Sequence, residues 1–156
     1  MIITVVSDTH NDINTLNKVL ELSKNSDAIF HLGDNIADAR YIQEKFKGKV
    51  YMVKGNCDYD SSGEEELLVE LKGKKFLLTH GHNYGVNYDV SKIYYRALEL
   101  GANCVFFGHT HRKLLIEEEG TYIFNPGSAS LARDGSNSIG YLEIENDKIN
   151  LKYYLI

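Results

Sequence analysis

An α/β fold is the class this sequence predicts, on three observations. Residues 2–53 alternate strand-like and helix-like runs in the order βαβαβ, which implies parallel strands joined by right-handed crossovers. Five strand-like runs, ending at residues 6, 32, 53, 79 and 107, each lead into a polar cluster. In open α/β folds, sites gather at the carboxyl ends of sheet strands. The chain beyond residue 112 then reads as successive β runs separated by two-residue turns.

Each element has a local reason. Ile2–Val6 is a β-branched run closed by Ser7-Asp8, suited to a buried central strand. Ile13, Leu16, Val19, Leu20 and Leu22 recur at near-helical spacing up to about Lys24, with Asp12 or Asn11 as the cap. Ala28–Leu32 is a second strand, ending in Gly33-Asp34-Asn35. Ile36–Phe46 is a second helix, stopped by Lys47-Gly48, and Val50–Val53 a third strand, ending in Gly55-Asn56-Cys57-Asp58. Leu67–Leu71 and Lys75–Thr79 flank Lys72-Gly73-Lys74 as a hairpin, and the second of them runs into His80-Gly81-His82. The Glu64–Glu66 run reads as a solvated approach to that hairpin. Val90–Leu100 is a helix stopped by Gly101, and Cys104–Phe107 a strand leading to Gly108-His109-Thr110-His111. Strands are expected at 113–118, 121–125, 138–145 and 148–154, with turns at Glu119-Gly120 and Asn146-Asp147, and a type II turn at Pro126-Gly127.

The 156 residues are expected to form one domain, 1–156, large enough to bury about 70% of the unfolded surface. A composition 43% hydrophobic and 25% charged is that of a folded globular chain. The net charge of −5 argues against general nucleic-acid binding, though not against a nucleotide held by metals. Cys57 and Cys104 form no disulfide framework, and the amino terminus has no basic, apolar leader pattern. With no apolar run of 18 residues, the expected setting is cytoplasmic, away from membranes.

The strand ends carry Asp8, His10, Asp34, Asn56, His80, His82, His109 and His111, including five of the six histidines. The sixth, His31, lies mid-strand beside Phe30 and Leu32 and reads as a satisfied core histidine. Just after strand-like runs, residues i and i+2 of an extended chain point to the same side, so Asp8 with His10, and His109 with His111, are expected to form two pairs of metal ligands. Carboxylate, imidazole and amide donors suit borderline or harder divalent ions. Asp8, His10, Asp34, Asn56, His80, His109 and His111 are too many for one ion with an open position. They suit two ions roughly 3.5–4 Å apart sharing a carboxylate. Two divalent ions, two carboxylates and a hydroxide leave roughly one positive charge, which attracts a phosphate.

Asp8-Thr9-His10, Gly33-Asp34-Asn35, Gly55-Asn56-Cys57-Asp58, His80-Gly81-His82 and Gly108-His109-Thr110-His111 together resemble the calcineurin-like metallophosphoesterases. Their order, the chain length and Asn125-Pro126-Gly127-Ser128 are similar to the small one-domain bacterial and archaeal phosphodiesterases, relatives of a retromer subunit. The resemblance implies a four-layer α/β/β/α sandwich of two mixed β-sheets flanked by helices. It assigns Asp8, His10 and His111 to one metal, and Asn56, His80 and His109 to the other, with Asp34 bridging. The implied enzyme is a hydrolase of phosphoric esters, diesters more than monoesters. Asp34, Asn56, His80 and His109 act through a metal-bound hydroxide in line with phosphorus. Mn²⁺ or Ni²⁺ are the leading ions, with Fe²⁺ and Zn²⁺ as alternatives, and the expected partner is a small phosphodiester. A homo-oligomer follows from the subgroup alone. The rival readings are a non-catalytic scaffold and a nucleotide-binding module on the same fold.

The sequence departs from the family at Cys57, where most members carry a histidine thought to protonate the leaving group. A neutral thiol transfers protons poorly below a pKa of about 8.5, so a semi-buried filler is expected there. Asp58 then loses the side chain it would orient. His82 either approaches substrate, orients a ligand or packs the loop. Arg112 and Arg133 are phosphate contacts by charge alone, or surface cations. Tyr84 and Tyr88 are the aromatics nearest the His80 loop in sequence.

Overall fold

The computed structural model describes residues 1–59 and 62–156. The elements follow as β1 (Ile2–Val6), α1 (Ile13–Leu22), β2 (Ala28–His31), α2 (Ile36–Lys45), β3 (Lys49–Met52), β4 (Glu66–Leu71), β5 (Lys74–Thr79), a 3-10 turn (His82–Tyr84), α3 (Ser91–Leu100), β6 (Cys104–Phe106), β7 (Lys113–Glu118), β8 (Thr121–Pro126), β9 (Ser138–Glu145) and β10 (Lys148–Leu155). One sheet has the order β10-β9-β1-β2-β3 and the other β4-β5-β6-β8-β7. Both are mixed. The runs β1-β2-β3 and β5-β6-β8 are parallel, while the hairpins β9-β10, β4-β5 and β7-β8 add antiparallel strands.

The pleat divides the side chains into three apolar layers. Ile3, Val5, Phe30, Phe76, Leu78, Phe106 and Phe124 alternate inward to fill the space between the sheets. Val6 and Ile29, on the opposite face, meet Leu16, Val19 and Ile42 of α1 and α2. Leu77 and Val105 meet Ile93 and Ala97 of α3. This is the α/β/β/α sandwich, and it explains why the central strands read as unbroken apolar runs: both faces are covered. Phe106 sits edge-on to Phe30 (5.5 Å, 69°) and Phe124 (5.8 Å, 73°), the geometry that ring quadrupoles favour.

Element ends differ from the sequence expectations by one or two residues. α1 stops at Leu22 because the Ser23 hydroxyl returns to the Val19 carbonyl at 2.7 Å. Asp12 is its cap, accepting from the Asn14 amide (3.1 Å) and the Thr15 hydroxyl (2.7 Å). The hairpin turns Lys72-Gly73 and Asn146-Asp147 have positive φ at both residues, the form whose twist matches the flanking strands. Gly127, at φ 80°, fits the third position of the expected type II turn. The Glu64–Glu66 run is not wholly solvated. Glu66 opens β4 and pairs with Arg96 of α3 (2.7 Å), and it also accepts the Tyr84 hydroxyl.

The parallel strands set the chemistry. β1, β2 and β3 run out at one edge into 7–10, 33–35 and 54–58, while β5 and β6 run out into 80–82 and 108–111. Backbone bonds stitch these loops together: Asp8 N to Gly33 O (3.2 Å), Gly108 N to His80 O (3.1 Å) and Ala129 N to Ser7 O (3.1 Å). Gly108 permits the closest approach, because a Cβ there would lie 1.9 Å from Ser7 Oγ.

Candidate metal centre

Of the side chains singled out by type and position, Asp8, His10, Asp34, His80, His82, His109 and His111 come together where the two sheet edges meet. No contact among the described residues brings the Asn56 side chain to them. Asp8, His10, Asp34 and His111 place donor atoms within 4.8 Å of one another. His111 Nε2 is 3.4 Å from His10 Nε2 and 3.3 Å from Asp8 Oδ1. Asp34 links this group to a second one, its Oδ1 lying 3.3 Å from His80 Nε2. The His80 ring stands edge-on to that of His109 at 5.2 Å, and His82 lies 5.5 Å from His80. His109 and His111 therefore face different neighbours although one residue separates them. Asn56 is exposed and directs its amide to Cys57 Sγ at 3.5 Å.

Local geometry achieves this without extended chain. Asp8, His10, Asp34, His109 and His111 all have φ between 49° and 66°. The same-side argument for residues i and i+2 therefore does not apply, and proximity comes from left-handed turns. Such a conformation costs a non-glycine residue of order 1 kcal/mol, and it collects at functional sites.

The hydrogen bonds decide which nitrogen faces inward. His80 Nδ1 donates to the Leu32 carbonyl and His111 Nδ1 to the Leu131 carbonyl, both at 2.8 Å. Each ring is left with a lone pair on the Nε2 that points at a carboxylate. Among the described residues, Asp8 Oδ1 and His80 Nε2 are buried without a well-directed hydrogen bond. Asp8 is 0% exposed and Asp34 4%, and carboxylates so placed are costly unless opposite charge compensates them. The amides of His109 (3.2 Å to Asp8 Oδ2) and Cys57 (3.1 Å to Asp34 Oδ1) supply only part of that. Converging imidazole lone pairs and under-compensated carboxylates fit divalent cations.

Protonation follows the same neighbours. Burial pushes the Asp34 carboxyl up, but His80 and the Cys57 amide outweigh it and hold the group well below the usual range. Burial pushes His80 down, and its carboxylate neighbours Asp34 and Asp8 raise it overall. His111 is raised, chiefly by Asp8. His109 and His82 are both lowered, by burial and by His80.

Around these residues lies a support that the sequence pattern did not reveal. Gly33 N donates to His31 Nδ1 (3.3 Å), His31 Nε2 donates to Thr9 Oγ1 (3.2 Å), and that hydroxyl donates to Asp38 Oδ2 (2.6 Å). His31 is a satisfied core histidine, and burial lowers its pKa to about 4. Asp38 also accepts the Asn11 amide (2.9 Å) and the Asn35 side chain (3.2 Å), tying the Asp8 and Asp34 loops together. An acid in a helix's first turn reads only as dipole compensation, so nothing in the local pattern marks Asp38. Ser128 and Ser130 hydroxyls donate to the Asp8 carbonyl (2.8 and 3.0 Å), and the Asn125 amide donates to the Gly108 carbonyl (2.8 Å). These bonds give Asn125-Pro126-Gly127-Ser128 a physical role. Asn87 Nδ2 donates to His109 Nε2 (2.9 Å), a contact with no sequence signal.

Cys57 is exposed rather than semi-buried, and both its amide and its thiol engage the Asp34 carboxylate. Desolvation and the Asp34 carboxylate push the thiol up, so it stays neutral near pH 7. The Asp58 carboxylate faces backbone. It accepts the amides of Ile36 (2.7 Å), Asn35 (3.0 Å) and Gly55 (2.7 Å), capping α2 in place of Asn35, whose own side chain makes no cap. Tyr84 is engaged by Glu66, whereas Tyr88 is 93% exposed. Arg112 and Arg133 line one groove beside the His109–His111 loop. No helix among the described residues is long and apolar enough to cross a membrane.

Comparison with known proteins agrees with this geometry. The family model described as the calcineurin-like phosphoesterase superfamily domain matches residues 1–147. The chain is 34% identical to the probable metallophosphoesterase YsnB of Bacillus subtilis (strain 168), over 99% of this chain and 90% of that protein. It is 30% identical to the phosphodiesterase YfcE of Escherichia coli (strain K12), over 93% and 88%. Among solved structures, a predicted phosphoesterase from Streptococcus pneumoniae TIGR4 superposes with a TM-score of 0.84 at 28% identity, over 99% of this chain and 88% of that one.

Proposed function

This chain belongs to the calcineurin-like phosphoesterase superfamily, and from that premise we propose that it is a phosphodiesterase with two divalent metal ions. Family membership implies divalent metal and a phosphoester substrate. The observation that carries the finer reading is the buried Asp8 Oδ1 and His80 Nε2, neither satisfied by a well-directed hydrogen bond, on either side of Asp34. In this reading Asp8, His10, His111 and Asp34 hold one ion, and Asn56, His80 and His109 share Asp34 to hold the other. Mn²⁺ or Ni²⁺ suits these nitrogen and oxygen donors, with Fe²⁺ or Zn²⁺ as alternatives. Bound ions supply Lewis-acid polarisation of the phosphoryl oxygens and lower the pKa of an attacking water.

The chain's own residues do the remaining work. Leu32 and Leu131 carbonyls fix the His80 and His111 tautomers, and the Thr9–Asp38–His31 network holds the loops that aim Asp8 and Asp34. Asp34 stays ionised across the working pH range. With Cys57 neutral and Asp58 turned to backbone, neither is placed as a strong proton donor. Substrates whose leaving groups depart without protonation are favoured. Diesters are preferred, in keeping with the relative named a phosphodiesterase. The two free cysteines suit a reducing compartment, the cytoplasm, with residues 1–156 acting as one domain.

The test compares p-nitrophenol release from bis(p-nitrophenyl) phosphate and p-nitrophenyl phosphate with Mn²⁺, Ni²⁺, Fe²⁺ or Zn²⁺. Faster diester turnover, abolished by chelator and restored by metal, is expected. Hydrolysis of neither ester with any of these ions would leave the scaffold reading standing, and a monoester preference would overturn the diester assignment.

A further inference from the structure

Beside the proposed centre is a groove of about 500 Å³, within the range of small-ligand sites. Its floor is apolar, with Val86 and Phe107 buried and Leu114 half-buried. Asn87, bonded to His109 Nε2, and Thr110, between His109 and His111, join it directly to the metal-ligand loop. Arg112 and Arg133, both exposed, line it on one side, and the Arg133 amide donates to the His111 carbonyl at 2.9 Å, which ties their two loops together. The third cation of the groove, Lys113, is neutralised by Asp134 (2.8 Å) and also donates to the Ser136 carbonyl (3.1 Å). Arg112 and Arg133 side chains make no ion pair among the described residues. A protein of net charge −5 thus concentrates two uncompensated guanidinium groups at one side of its site. The larger cavity, about 640 Å³ and lined by Lys24, Lys45 and Gly48, lies at the carboxyl ends of α1 and α2, away from the site their amino termini adjoin.

We propose that this groove is a subsite for a second phosphate, carried on the non-leaving arm of the diester and held by Arg112 and Arg133. The proposal rests on the phosphodiesterase reading. Guanidinium groups match phosphate oxygens in pairs of parallel bonds. Two of them balance the charge of nearly −2 on a terminal phosphate better than the single charge of a carboxylate. The apolar floor takes the body of the arm between the two phosphates. The substrate class is therefore a diester that also bears a phosphomonoester, rather than one with two uncharged arms.

The experiment uses two substrates differing by one phosphate: the p-nitrophenyl ester of thymidine 5′-phosphate and its 3′-phosphorylated counterpart. Their kcat/KM ratio, independent of the amount of active enzyme, is expected to favour the 3′-phosphorylated ester by roughly fivefold, a value discounted for exposed charges. In Arg112→Gln/Arg133→Gln the ratio should fall to about one, and in Arg133→Glu below one. A wild-type ratio near one, or one that survives in the double variant, overturns the subsite. Calorimetry in Mn²⁺, comparing thymidine 3′,5′-bisphosphate with thymidine 5′-phosphate, reads the same discrimination without turnover. If neither ester is hydrolysed, the phosphodiesterase reading fails, while the calorimetric ratio still decides whether the groove holds a second phosphate.

Discussion

At the scale of a single residue, the proposed mechanism makes Cys57 a position that supports Asp34 without donating a proton. Its amide serves Asp34, while its exposed thiol is held neutral by desolvation and nearby carboxylates. Cys57→His should restore a proton donor and speed turnover of diesters with poor leaving groups by up to roughly 10²-fold, flattening the dependence of rate on leaving-group pKa. An unchanged slope would count against the assignment. His31 makes a different prediction. Its folded pKa of about 4 lies below the ordinary 6.5, so the unfolded chain takes up a proton that the folded one refuses. The contribution of this group is then constant above about pH 6.5 and falls as pH drops from there towards 4, by up to roughly 3 kcal/mol. Urea titrations of wild type and His31→Asn should show a steeper loss for wild type across that window. Equal slopes would contradict a buried neutral imidazole.

Capping and turn geometry carry the argument at the scale of elements. Asp58 lies in the loop after β3 yet caps α2, through the Asn35 and Ile36 amides. Asp58→Ala should cost about 2 kcal/mol in urea unfolding while changing kcat at saturating metal by less than roughly threefold. A fall in kcat of roughly 10² or more, with stability kept, would place Asp58 in proton transfer instead. The sequence exposed this level unevenly. Strands, helices and hairpin turns were legible because periodicity and paired turn residues are local signals, as at Lys72-Gly73 and Asn146-Asp147. The seven proposed ligands were legible because Asp, Asn and His stand at successive strand ends. The means of convergence was not. Left-handed turns at Asp8, His10, Asp34, His109 and His111, and the Asp38 tie between loops, depend on contacts across 22 to 101 residues of sequence.

The whole molecule brings the two sheets together so that β1, β2 and β3 of one, and β5 and β6 of the other, open at a common edge. The inter-sheet layer of Phe30, Phe76 and Phe106 sets that alignment, and Asp34 meets His80 across it at 3.3 Å. Neither sheet alone contains the full donor set, so metal affinity and the docking of the sheets are coupled. Ions that bind only the folded chain should raise its stability, by about 2.7 kcal/mol at a hundredfold excess over Kd. The most direct test of the central claim joins metal content to turnover in wild type and Asp34→Ala, with bis(p-nitrophenyl) phosphate as substrate in Mn²⁺. Two ions per wild-type chain are expected, with fewer in the variant and at least a roughly 10²-fold loss of its kcat, since the variant lacks the carboxylate proposed to be shared by both ions. Full activity in a folded Asp34→Ala, or full wild-type activity with no metal bound, would contradict it.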